Sequence, residues 1–144
     1  MGGCAVDYKS CANLVAMFYQ VAAEKGDKPF LWAKRDGAYQ AISFTEAAHQ
    51  VGALAAGLKE LGVKAGDRII VVSENRPEWL IADIAIMAMG GITVPTYTTN
   101  TLDDYLHIIR DSGAIGAITS TARLSERFLE AAHRIDDLGF TVAI

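Results

Sequence analysis

Residues 61–113 read LGVKAGDRIIVVSENRPEWLIADIAIMAMGGITVPTYTTNTLDDYLHIIRDSG, and a turn, a strand, a buried helix, a second strand and another helix follow one another there without a gap. Lys64-Ala65-Gly66-Asp67 has turn chemistry, and residues 68–73 form an Ile/Val run with little alternation, as expected of a strand covered on both faces. Pro77 suits the first turn of a helix, where its missing N–H leaves nothing unpaired. From Trp79 to Met89 that helix is apolar nearly all round, which predicts burial. Gly90-Gly91 ends it, and residues 92–95 make a short strand. Thr101 with Asp104 three positions on is a capping-box-like start for a helix carrying Leu102, Tyr105, Leu106 and Ile109 inward, stopped at Ser112-Gly113.

Outward from this block the alternation continues. Residues 115–119 read as a third buried strand, 122–135 as a helix and 140–144 as a fourth strand. Short connections between alternating strands and helices are the mark of right-handed βαβ crossovers and a parallel sheet. Toward the N-terminus, residues 13–25 place Leu14, Met17, Phe18, Val21 and Ala22 on one helical face, closed by Gly26-Asp27. Residues 30–33 and 39–44 flank Lys34-Arg35-Asp36-Gly37, and Asp-Gly is a favoured hairpin turn. The next helix can be capped by Thr45, or by Ser43 with Glu46 as a capping box. It runs to Leu61 with Ala47, Val51, Leu54, Ala55, Leu58 and Leu61 on one face. The expected fold is α/β: a mostly parallel sheet built from βαβ units with helices on both faces, preceded by a short antiparallel ribbon.

Composition narrows the function. The chain has 144 residues, about half of them apolar, enough for one domain with a substantial core. A net charge of −4 supplies no basic field for a nucleic-acid backbone and no polybasic stripe for an anionic membrane. Cys4 and Cys11 lie before the first clear helix without zinc-type spacing, which suits a reduced, intracellular protein. Met1-Gly2-Gly3-Cys4 resembles a lipidation start, but Val6 stands where myristoylation wants Ser or Thr. The uncharged stretch 84–102 is broken by Gly90, Gly91, Pro95, Asn100 and five threonines, so it is no membrane span. A cytoplasmic location is expected, with a peripheral place at the inner face of a membrane left open.

Few residues carry chemistry. Gly90-Gly91 follows a helix and precedes a strand, the reverse of the order that aims a helix N-terminus at phosphate, so a helix stop is the better reading. His49, His107 and His133 fall in three different helices without a second ligand at i+4. Asp83 interrupts an apolar helix and must reach solvent or a partner, and Asp103-Asp104 suits a helix N-terminus. Thr96, Tyr97, Thr98, Thr99 and Asn100 differ in kind. In an open parallel sheet the loops beyond the strand C-termini line the ligand crevice, and this polar loop follows a strand, so part of it is a candidate to face substrate, with ordinary turn chemistry as the other reading. Arg123 and Arg127 start the helix after the third strand, on the same side of the sheet, where they either meet an anion or stay solvated.

Four blocks together resemble one family. Residues 61–68 are similar to the GV-x-x-GDRV turn of the adenylate-forming acyl-CoA synthetases, Asn75-Arg76-Pro77-Glu78-Trp79 to their N-x-PEW helix start, Gly90-Gly91-Ile92-Thr93-Val94-Pro95 to their G-A-x-x-VP strand, and Asp111-Ser112-Gly113-Ala114 to their DSGA. The loop from Pro95 to Thr101 looks most like the long-chain fatty-acid CoA ligases. The resemblance implies activation of a fatty acid with ATP and Mg2+ to an acyl-adenylate, then transfer to CoA. The motifs for this chemistry, a Ser/Thr/Gly-rich loop with Lys, a ribose-holding acid, a hinge and a C-terminal-domain Lys, do not occur here, so no catalytic residue is carried over. In some members basic residues near the start of the corresponding helix lie close to the CoA nucleotide, which implies that role for Arg123 and Arg127.

The expectation is therefore an incomplete N-terminal subdomain, residues 1–144, of the large domain of a long-chain fatty-acid CoA ligase, inactive alone, meeting fatty acid, ATP and CoA through the rest of the enzyme, with no cofactor expected to bind these residues tightly by themselves. The apolar last strand also suggests self-association through an exposed sheet edge. The alternative is a complete small α/β ligand-binding module or an interaction protein without catalysis.

Overall fold

The computed structural model describes residues 10–135 and 138–144. The first layer is α1 (Leu14–Lys25), capped by the Asn13 side chain accepting the Ala16 N–H at 2.8 Å. Next come the ribbon strands β1 (Pro29–Arg35) and β2 (Ala38–Ser43), paired antiparallel. Asp36 and Gly37 have φ of 51° and 83°, the geometry that an Asp-Gly hairpin turn requires. Helix α2 (Phe44–Glu60) then begins at Ser43, not at Thr45. Ser43 and Glu46 form a complete capping box, because β2 runs in extended conformation up to Ser43 and leaves Thr45 inside the first helical turn. Ala47, Val51 and Leu58 are buried on the expected face, whereas Leu61 lies past the helix end and is half exposed.

The βαβ block follows as β3 (Arg68–Val72), α3 (Pro77–Ala88), β4 (Ile92–Thr96), α4 (Leu102–Ser112), β5 (Gly116–Thr119), α5 (Ala122–Ala132) and β6 (Phe140–Ala143). The four strands are all parallel, in the order β4-β3-β5-β6. The motif-like turn before β3 explains itself locally. Asp67 Oδ2 accepts the Lys64 N–H at 2.7 Å, Gly66 N–H bonds Gly90 O at 2.8 Å, and the Arg68 guanidinium caps the end of α4 through Gly113 O at 2.8 Å.

Side chains of β3 alternate between two cores, which is why its Ile/Val run shows no polar face. Ile70 and Val72 meet Tyr105 and Ile109 of α4 and Phe128 of α5 on one side. Ile69 and Val71 meet Ala82 and Ile86 of α3 and Leu58 of α2 on the other. Each fully buried Ile or Val contributes roughly 1.5–3 kcal/mol, so the four buried side chains of this strand add substantially to stability. A third core joins α1, α2 and α3 through Phe18, Val51 and Ala85, with Phe30 and Ile42 bringing in the ribbon. Helix α5 stops at Ala132, shorter than the expected 135, and β6 forms the outer strand beside it. Among the described residues no helix is long and apolar enough to cross a membrane. Cys4 and the residues around it lie outside the described part.

Candidate functional site

Strand order decides where a crevice can form. From β3 the chain crosses by α3 to β4 on one side, and from β5 it crosses by α5 to β6 on the other. Helices α3 and α5 pack on opposite faces, so the loops after β3 and β5 diverge at the carboxyl ends of two neighbouring strands. That divergence is the topological switch point of an open α/β sheet, where ligands settle.

Two grooves flank it. One, about 390 Å³, is lined by Glu74 after β3, Thr98 and Thr99 after β4, and Thr121, Arg123 and Arg127 at the start of α5. The other, about 480 Å³, lies between Ser73, Glu74 and Trp79 on one wall and Thr96, Tyr97 and Thr98 on the other. The structure thus brings four of the sequence-derived candidates, Thr98, Thr99, Arg123 and Arg127, to one groove. Both arginines are exposed. Asn100 lines neither groove and instead closes the loop's own turn, its N–H bonding Tyr97 O at 3.2 Å. Tyr97 is 80% exposed, while its carbonyl accepts the Tyr105 hydroxyl at 3.2 Å and so anchors the loop to α4. Burial pushes the Tyr105 phenol up, against the opposing pull of the Arg127 charge and the Thr96 hydroxyl.

The floor between the grooves is built from residues that the sequence did not mark as site candidates. The Ser120 hydroxyl donates to Glu74 Oε2, and this bond, first among its causes, holds the Glu74 carboxyl below the usual glutamate range. Arg76 Nη1 donates to the Ser120 carbonyl at 3.1 Å and its Nε to Glu78 at 2.8 Å; Glu78 also receives Arg35 from the ribbon at 3.1 Å. The hydrogen bond from Arg76 is the main reason the Glu78 carboxyl is depressed. The usable signal was the rule already applied to residues 96–100: Ser73 to Arg76 and Ser120-Thr121 also follow strand ends.

The other candidates take ordinary places. Asp83 is half-buried on α3, Asp104 completes the Thr101 capping box, and all three histidines are exposed. Cys11 Sγ lies 3.2 Å from Gln20 Oε1. Among the described residues no group of three His, Cys, Asp or Glu is placed to hold a metal ion.

A doubly wound α/β unit with its polar grooves beyond the carboxyl ends of its strands defines the class. Residues 18–143 match the AMP-binding enzyme family, and the chain belongs to that family. It is 39% identical over 111 residues to the long-chain-fatty-acid–CoA ligase FadD15 of Mycobacterium tuberculosis, covering 76% of this chain and 18% of that protein. It is 26% identical over 140 residues to long-chain-fatty-acid–CoA ligase 6 of Mus musculus, covering 95% of this chain and 20% of that protein. The crystal structure of Coronafacic Acid Ligase from Pectobacterium brasiliense shares the fold, with a TM-score of 0.83, 19% identity and coverage of 90% of this chain and 25% of that one. The chain thus spans about a fifth of the length of these curated relatives.

Proposed function

We propose that the chain is the N-terminal part of a long-chain fatty-acid CoA ligase, an acid-thiol ligase that forms an acyl-adenylate from ATP and passes the acyl group to CoA. In this reading the 144 residues do not catalyse alone. The observation that carries it is the 39% identity to a long-chain-fatty-acid–CoA ligase over three quarters of the chain. The grooves agree in kind. A polar threonine loop and two exposed guanidiniums at a sheet's carboxyl edge suit a ligand with phosphate groups. Arg123 and Arg127 are the residues proposed for the CoA nucleotide, and Thr96 to Thr99 for substrate contact.

The residues present do not fit ATP with magnesium. The sequence holds no Ser/Thr/Gly-rich loop with Lys to embrace a triphosphate, and Glu74, the one carboxylate lining both grooves, is engaged by Ser120. No reaction step is therefore assigned to this chain. Its share is architectural: the β3 and β5 ends set the crevice floor, and Tyr105 holds the loop after β4 in place. The reading frame downstream of Ile144 tests the proposal. It is expected to encode a phosphate-holding loop with Lys within the next few hundred codons, on the scale of such domains. A stop codon directly after Ile144 would overturn the ligase reading in favour of a self-contained binding module.

A further inference from the structure

The geometry points to Arg76 as a positioning residue that sets the wall of the groove carrying Arg123 and Arg127. This rests on the reading above that those two guanidiniums meet an anionic ligand. Arg76 occupies the N-cap of α3, yet its side chain makes no capping bond there. It reaches instead across the switch point to the Ser120 carbonyl at 3.1 Å, while its Nε is held by Glu78 at 2.8 Å.

Ser120 is the hinge between β5 and α5. Its N–H bonds Val72 O at 3.1 Å and its hydroxyl bonds Glu74, so with Arg76 it is tied at three points, all to β3 or the residues just after it. Thr121, the next residue, caps α5 by accepting the Leu124 N–H at 3.3 Å. The direction in which α5 leaves the sheet, and with it the place of Arg123 and Arg127, is therefore fixed through Ser120. Only a guanidinium can do this. Its planar fork offers separate donors to Glu78 and to the carbonyl, whereas a lysine ammonium is a single point on a flexible stem. Glu78 is itself steadied by Arg35, which extends the support to the ribbon.

The test is titration of this chain with CoA, following backbone amide shifts by NMR. Shifts are expected at Thr98, Thr99 and residues 121–127. The double variant R123A/R127A should abolish them, and R76M and R76K should each raise the Kd at least fivefold. If R123A/R127A bind as tightly as wild type, or wild type shows no shift, the groove reading fails. If R123A/R127A lose binding while R76M stays within twofold, the groove reading stands and the role of Arg76 is overturned. Amide exchange judges Arg76 independently of any ligand. R76M is expected to speed exchange at residues 121–125 at least tenfold with α1 and α2 unchanged, and unaltered exchange at 121–125 would overturn the proposal.

Discussion

Gly116 lies beneath the ring of Phe140 on the neighbouring strand. A Cβ there would come within 2.3 Å of the ring's Cζ, closer than any real side-chain contact. Because Phe140 sits on the outer strand and is only partly buried, its ring can swing away at some loss of packing. G116A is expected to cost about 1–3 kcal/mol in urea unfolding, and much less when introduced into an F140A background. Equal costs in both backgrounds would contradict the contact. Glu78 gives a second test at this scale. Its carboxyl is depressed first by the hydrogen bond from Arg76 and is thus held below the ordinary glutamate value of 4.5. A folded-state value lower than the unfolded one means that the stabilisation is fully present above about pH 4.5 and is lost as the pH falls through the folded value. The stability gap between wild type and E78Q should therefore be larger near pH 6 than near about pH 3. A gap that is constant or widens in acid would count against the Arg76–Glu78 pairing.

At the scale of elements, the start of α2 separates two readings of adjacent hydroxyls. Ser43 makes the capping box with Glu46, so S43A is expected to lower stability by about 1 kcal/mol. T45A should stay within about 0.5 kcal/mol, measured by the same thermal or urea unfolding. The reverse ranking would restore Thr45 as the cap. This choice shows where sequence reading stops. The strands, the Asp-Gly hairpin and α3 to α5 each carry a local cause, such as a β-branched run, Pro77 or the Thr101–Asp104 box, and they were legible. Whether Ser43 or Thr45 caps depends on how far β2 pairs with β1, which is tertiary. The exposure of Leu61 has the same origin, since helical periodicity continues past the point where the chain turns at Gly62.

At the scale of the whole molecule, half of the candidate site followed from one rule about strand ends, and half depended on strand order. That Thr98 and Thr99 face Arg123 and Arg127 needs β3 to lie between β4 and β5, an arrangement that no local pattern in the chain encodes. For the same reason the Glu74–Ser120–Arg76 floor stayed hidden, since Ser120 lies 46 residues from Glu74 and 44 from Arg76. The family's recurring blocks around Gly66, Pro77, Gly90 and Ser112 turn out to hold the sheet and its caps together. Their chemistry is that of a scaffold: Asp67 and Gly66 close the turn before β3, Pro77 starts α3, and the end of α4 is met by Arg68 through Gly113. The central proposal is that these 144 residues supply part of the crevice of an AMP-forming ligase and do not themselves carry the groups that act on ATP. Pyrophosphate release from ATP by this polypeptide, in the presence of magnesium, a long-chain fatty acid and CoA, measures it most directly: release at the no-protein rate is predicted, and fatty-acid-dependent release above it would contradict the account.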